Sequence, residues 1–165
     1  MYRACIAIVD ASRARLFTFE RTSGVDGIHE QLIEQHDLVD PARRLRPSDL
    51  FSDARPGTGW TAGLSYGFDD RRDAQLEQMD ASFARDVVTE ITNLIRSSGA
   101  RRLILCASPN MLGQLRKVGS ELRRDGLVLD ELPRDLVRLT TPDLRDRLAA
   151  YSLLPQLPTR HGLSA

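Results

Sequence analysis

The sequence predicts an α/β fold in which one mixed five-stranded sheet, three antiparallel strands followed by βα units, is flanked by helices. Short apolar runs such as residues 4–9 are typical of buried strands. Apolar residues at spacings of three and four over residues 76–95 indicate a long amphipathic helix. The 165 residues suffice for one core. We expect a single α/β domain over residues 1–150, a long loop within it at 41–73 and a C-terminal tail at 151–165.

The first forty residues predict three strands. Residues 1–9 end in the apolar run, residues 15–20 alternate between apolar and polar side chains, and residues 28–38 form a third β-like segment. Glycine-containing turn pairs, Ser23-Gly24 and Asp26-Gly27, separate the second segment from the third. Because short connections join antiparallel neighbours, the three strands predict a meander.

The remainder of the chain predicts three helices and two strands. The long helix stops at Ser97-Ser98-Gly99, where Gly99 suits a left-handed cap. Two further helices open with an N-cap residue followed by proline, at Ser108-Pro109 and Thr141-Pro142, and two further strands lie at 103–106 and 127–132. Apolar positions from Met111 to Val118 mark the second helix, which we expect to continue through Leu122 to Arg124. The predicted order is therefore β-β-β, long loop, α-β-α-β-α.

Composition restricts where in the cell we expect the protein to lie. The longest apolar run, residues 4–9, is far shorter than the ~20 residues that cross a bilayer, so we expect no membrane insertion and a cytoplasmic location. Cys5 and Cys106 lie inside apolar runs, which is typical of free buried thiols. Basic and acidic residues balance at 23 each, so net charge neither indicates nor excludes a nucleic-acid partner.

The order of elements resembles the ribonuclease H-like architecture, whose chemistry needs several carboxylates around two divalent ions. Asp10 ends the first strand, and Asp86 and Glu90 lie on the long helix. The fourth strand, however, ends in Ala107-Ser108-Pro109-Asn110, without a carboxylate. We therefore interpret Asp10 as a turn residue and expect no two-metal site.

Other site types find little support in the sequence. His29 and His36 differ by an odd number, which predicts opposite faces of one strand, and they lack metal-ligand spacing. Gly63-Leu64-Ser65-Tyr66-Gly67 matches the letters of a nucleophile elbow, but no strand precedes it. We expect no catalytic residue, no metal and no cofactor.

The predicted loop supplies the candidate binding residues. Aromatic and arginine side chains alternate with glycines there, and we select Arg55, Trp60, Tyr66, Arg71 and Arg72. Such a mixture can stack on bases and bind phosphates. The alternative is that its aromatic residues hold the loop against the body or against a second copy in a homodimer.

Several segments in order resemble one bacterial family. They run from Val9 to Phe17 around the first turn, from Phe51 to Gly57, from Phe83 to Asp86 on the long helix, from Ala107 to Gly113 and from Leu132 to Leu136. With them the chain resembles the host attachment proteins, described as required for attachment to host cells. The first segment contributes a second candidate site at Asp10, Ser12 and Arg13.

The resemblance also implies a fold and two functions. It places the chain among bacterial and archaeal relatives of the middle domain of the eukaryotic-type peptide-chain release factor, whose sheet is ribonuclease H-like. In that factor a Gly-Gly-Gln loop before the long helix promotes peptidyl-tRNA hydrolysis, and this chain has no Gly-Gly-Gln. We expect a non-enzymatic interaction module acting on an unknown protein. The alternative is a ribosome- or tRNA-associated protein that hydrolyses a tRNA ester.

Overall fold

A five-stranded sheet organises the computed structural model, which describes residues 1–44 and 65–157 and gives only the backbone at 43, 44 and 65–70. The strands are β1 (Tyr2–Val9), β2 (Arg13–Gly24), β3 (Gly27–Val39), β4 (Arg102–Ala107) and β5 (Val128–Leu132). The helices are α1 (Pro41–Arg44), α2 (Ser65–Ser98), α3 (Pro109–Val118) and α4 (Thr141–Ala150), with a 3₁₀ helix, η1, at Ser120–Arg123. Within the described ranges, no helix is both long and apolar enough to cross a membrane.

The strand order confirms the predicted mixed sheet. The strands lie side by side as β3-β2-β1-β4-β5. The first three pair antiparallel, and β4 pairs parallel with both β1 and β5. Only two residues separate β2 from β3, as an antiparallel hairpin allows, whereas the parallel pairs need the longer crossovers through α2 and α3.

The central strand β1 is buried on both faces, because every residue from Ala4 to Val9 is at most 1% exposed. Its side chains alternate between two apolar layers, as the period of a strand requires. Cys5, Ala7 and Val9 pack with α2 and α3 in the first layer. Ala4, Ile6 and Ile8 pack with α4 and with Leu154 of the tail in the second layer.

Two buried arginines connect the second layer to the hairpin. Arg15 donates to both carboxylate oxygens of Glu34, at 2.9 and 3.0 Å, and to the carbonyls of Val137 and Leu139, at 3.0 and 2.6 Å. Arg145 of α4 donates in the same way to Glu30 of β3. Each guanidinium thus joins segments more than a hundred residues apart in the chain.

The helix ends largely follow the predicted capping. The Ser108 hydroxyl accepts from the Met111 amide, with Pro109 as the first helical residue. Gly99 adopts a φ of +66°, as predicted. The third predicted cap is one residue off, because Thr140 rather than Thr141 accepts from the Asp143 amide.

The predicted loop is wrong at both boundaries. Residues 41–44 form a helical turn, and α2 begins at Ser65 instead of Leu76. Residues 71–75 of α2 are all exposed, so the sequence has no burial period to detect there. Residues 45–64 lie outside the described part of the chain.

The helix predicted to extend past Val118 ends at Gly119. A β-carbon at Gly119 would lie only 2.6 Å from the Leu115 carbonyl oxygen, so the backbone turns tightly there and continues as η1. The last helical residue is therefore Val118, because the backbone turns at Gly119, even though the apolar spacing continues to Leu122.

A β-bulge corrects the predicted placement of the histidines. Leu16 pairs with His36 but Phe17 pairs with Glu34, so Gln35 is an extra residue in β3. His29 pairs with Thr22, which lies an even number of residues from Leu16. The two histidines therefore share one face, because the extra residue reverses the alternation.

The buried guanidinium of Arg15 gives a stability prediction. Arg15→Ala should lower the free energy of unfolding by about 3 kcal/mol, since it leaves Glu34 and two carbonyls without their donor. Arg13→Ala is the matched control. Its partner Asp37 is 43% exposed and Arg13 itself 40%, so its loss should cost less than about 1 kcal/mol. Urea unfolding measures both, and equal losses would contradict the assigned role.

The two thiols give a second prediction. Burial raises the pKa of Cys5, and it raises the pKa of Cys106 to about 12. With so little thiolate, and with side chains at most 1% exposed, neither thiol should react with a disulfide reagent at about pH 8. Two thiols should react after unfolding in guanidinium chloride. Rapid labelling of the folded protein would contradict this prediction, because it would show that the apolar layer covering Cys5 or Cys106 opens readily.

Candidate functional site

The carboxyl ends of four strands meet at one edge of the sheet, and three of these strands, β1, β3 and β4, lead there to candidate residues. β4 is parallel to β1, and β3 runs in the same direction as β1 because two antiparallel reversals separate them. Asp10, Asp40 and Ser108 directly follow these strands. Ligands of open α/β sheets commonly bind outside this edge, which we call the carboxyl edge.

Asp10 closes the turn between β1 and β2. Its Oδ1 accepts from the amide of Ser12 at 2.8 Å, from the hydroxyl of Ser12 at 3.1 Å and from the amide of Arg13 at 2.6 Å. The Asp10 amide donates to the Arg13 carbonyl. The interpretation of Asp10 as a turn residue is confirmed, and its carboxylate fixes the start of β2.

Arg13 belongs to an ion pair across the hairpin. Its Nε donates to Oδ1 of Asp37 at 2.8 Å and its Nη2 to Oδ2 at 2.6 Å, a two-point contact. The hydrogen bonds from Arg13 hold the pKa of Asp37 below its usual range. The guanidinium of the predicted first-strand site is thus already bound to a carboxylate.

Asp40 is a residue of this edge that the sequence analysis missed. It is 7% exposed, its amide donates to the Ser12 carbonyl, and its Oδ1 accepts from the Ala42 amide at 3.1 Å. Its Oδ2 is buried and has no hydrogen-bond partner among the described residues. The available signal was a repeated Val-Asp at the ends of two strands, Val9-Asp10 and Val39-Asp40.

Helix α2 extends past the carboxyl edge. Its 34 residues span about 51 Å, whereas the eight residues of β1 span about 27 Å. Its last residue, Ser98, lies at the opposite edge, where its carbonyl accepts from Arg3 at 3.1 Å and its hydroxyl lies 3.3 Å from the Cys5 sulfur. The excess length therefore falls at the beginning of α2.

Burial agrees with this extension. None of residues 71–79 is buried, while fully buried side chains recur along α2 from Asp80 to Leu94. Arg71 and Arg72 are exposed on this first part of the helix. One ion pair, between Glu77 and Lys117 at 3.7 Å, connects it to α3.

The predicted binding residues divide accordingly. Arg71 and Arg72 are adjacent on α2, and Tyr66 lies on its first turn, where only the backbone is described. Arg55 and Trp60 lie outside the described residues. Asp86, considered above for metal binding, is exposed on the same helix. Across residues 1–44 and 65–157, no three His, Cys, Asp or Glu side chains gather in a group that could hold a metal ion.

The Arg13–Asp37 pair predicts a defined response to acid. A carboxyl whose pKa is lower in the folded state contributes stability above its unfolded pKa of about 3.9, and loses it as pH falls through the folded value. Arg13→Ala should raise the pKa of Asp37, and its stability deficit relative to the unaltered protein should shrink in acid. Carboxyl-carbon NMR between about pH 6 and 2 measures the midpoint. An unchanged midpoint would contradict the assigned cause.

Comparison with solved structures gives a distant likeness. A chain of the Aquifex aeolicus Ppx/GppA phosphatase, in its type II variant, is 16% identical and matches 94% of this chain with a TM-score of 0.43. The present chain spans only 42% of that protein's length.

Sequence comparison gives the stronger result. No curated protein matches the chain closely enough to count as a relative. The family model described as "Protein required for attachment to host cells" matches residues 5–148. This match includes the whole of β2 to β5 and most of β1 and α4. The chain therefore belongs to the host attachment family.

Proposed function

We propose that this host attachment family member is a non-enzymatic interaction protein that binds another protein through residues 55–72, which we call the Arg/aromatic segment. The supporting observation is that α2, which carries the end of this segment, extends beyond the carboxyl edge. Arg71 is exposed there on a regular helix. A helix fixed to the core at one end can present side chains to a partner with little loss of conformational entropy.

Arginine suits this role because its planar guanidinium makes two-point contacts with carboxylates and stacks on aromatic rings. Interface centres are enriched in arginine, tyrosine and tryptophan, and the Arg/aromatic segment contains all three residue types. We therefore propose a partner surface that offers acidic side chains beside an apolar patch.

The contacts of the other candidate residues favour a structural role for them. The carboxylate of Asp10 accepts three hydrogen bonds within its own turn, and Arg13 is bound by Asp37. Burial raises the pKa of both thiols and disfavours their nucleophilic forms. Each of these groups stabilises the fold that supports α2.

The alternative is a ribosome- or tRNA-associated protein with a ribonuclease H-like, release-factor-like fold. The observation in its favour is the adjacent pair Arg71-Arg72 on an exposed helix, since neighbouring guanidinium groups also bind phosphates. Binding to RNA through these residues would weaken steeply as salt increases, because each phosphate contact releases a counterion, and it would be lost when ribonuclease removes the RNA.

A capture experiment with four proteins tests the proposal. They are the unaltered chain, a deletion of residues 57–67, Arg71→Ala/Arg72→Ala, and the control Arg138→Ala/Arg147→Ala. The control removes the same charge from exposed sites before and on α4. We expect a protein partner that is retained by the control, lost with the deletion, and about tenfold weaker for Arg71→Ala/Arg72→Ala.

The outcomes separate the two functions. A partner whose capture survives ribonuclease treatment supports the proposal. Ribosomes or tRNA that are lost on ribonuclease treatment and on raising the salt would favour the alternative, as would turnover of peptidyl-tRNA by the pure protein. Equal capture by all four proteins would exclude the Arg/aromatic segment as the binding surface.

A further inference from the structure

A cleft opens at the amino edge of the sheet, the end opposite the Arg/aromatic segment. It lies between the last turns of α2, the start of β4, and the chain from η1 to β5, and its volume is about 430 Å³. Small-molecule sites typically occupy about 300–1,000 Å³. The lining residues come from two stretches of the chain, 92–101 and 121–127.

The interior of the cleft is apolar. Leu122 is 3% exposed and belongs to the first layer of the core, and Ile95 and Leu127 pack partly buried against it. Ala100, which is 5% exposed, adds a small side chain to the same surface. A flat apolar or aromatic group could therefore rest on a rigid surface that the core already supports.

Three guanidinium groups line the same cleft. Arg124 lies 3.4 Å from a Glu121 oxygen, so its charge is partly neutralised. Arg96 and Arg101 are exposed and, among the described residues, neither forms an ion pair. Most arginines of the sheet form ion pairs with carboxylates, whereas, in the part of the chain that the structure describes, Arg96 and Arg101 do not. Because these two guanidinium groups line the same cleft, they form a local site for an anion.

Two acidic residues, Glu121 and Asp125, also line the cleft. Glu121 belongs to η1 and Asp125 to the turn before β5, whereas Arg96 and Arg101 belong to α2 and to the turn that follows it. The lining thus combines three kinds of surface, which are guanidinium groups, carboxylates and apolar side chains. Carboxylates accept hydrogen bonds from vicinal hydroxyls of ribose, and guanidinium groups bind phosphate at two points.

From these three surfaces we propose that the cleft binds a nucleoside phosphate. The base packs on Ile95, Leu122 and Leu127, the ribose hydroxyls donate to Glu121 and Asp125, and the phosphate binds Arg96 and Arg101. This site is independent of the Arg/aromatic segment, because it lies at the other end of α2.

Calorimetric titration with adenosine 5′-monophosphate and guanosine 5′-monophosphate tests the site. We expect saturable binding that is at least about tenfold weaker for Arg96→Ala/Arg101→Ala, because this variant removes both guanidinium groups that contact the phosphate, and a loss of about 1.4 kcal/mol corresponds to a factor of ten. The same control as above, Arg138→Ala/Arg147→Ala, removes two exposed guanidinium groups from the opposite layer and should change affinity less than about twofold.

Two further titrants assign the parts of the ligand. Inorganic phosphate and adenosine should each bind at least about tenfold more weakly than the nucleotide, since each occupies only part of the cleft. Binding of phosphate alone as tightly as the nucleotide would overturn the nucleoside assignment. Absence of saturable nucleotide binding, or equal weakening in both double variants, would overturn the site. Thermal unfolding of all variants verifies that the exposed substitutions leave the fold intact.

Discussion

The parallel pairing of β1 with β4 is the constraint on which the rest of the structure depends. Both strands are buried on both faces, so apolar side chains from Ala4 to Val9 and from Leu103 to Ala107 must be covered by two separate layers. Helices α2 and α3 cover one face, and α4 with the tail covers the other. The second layer contributes fewer apolar side chains, and there the ion pairs of Arg15 and Arg145 add attachment that apolar burial alone does not provide.

The same pairing creates two chemically different ends. A helix that connects β3 to β4 must travel from the carboxyl edge to the amino edge, and α2 is longer than this distance. Its excess length lies at the carboxyl edge, where Arg71 and Arg72 are exposed on a part of the helix that extends past the sheet. At the amino edge, its last turns and the chain after α3 do not close over the core completely. The projecting start of α2 thus arises from one crossover connection, and the cleft lies between the end of that connection and the next one.

The sequence predicted the elements whose burial leaves an apolar pattern, and it missed features that leave no such pattern. Strands β1, β2 and β4 and the packed part of α2 follow from apolar runs and periods, and Ser108 follows from capping chemistry. The largely exposed β3 follows instead from the turn pairs that precede it. Residues 71–75 of α2 are exposed and carry no apolar stripe, so such a stripe could not reveal that they are helical. The bulge at Gln35 and the role of Asp40 depend on pairing between strands, which no local pattern specifies. The cleft joins residues 92–101 to 121–127, which meet only after folding.

Net charge shows why placement matters more than composition here. Equal numbers of acidic and basic residues give a chain with no overall field to attract an anion. The structure distributes that balance unevenly, because Arg13, Arg15 and Arg145 each take a carboxylate partner on the hairpin. In each of these ion pairs the two opposite charges largely cancel, so the pair attracts dissolved ions only weakly. Charges outside such pairs, as at Arg96 and Arg101, keep their attraction for a ligand even though the molecule as a whole is neutral.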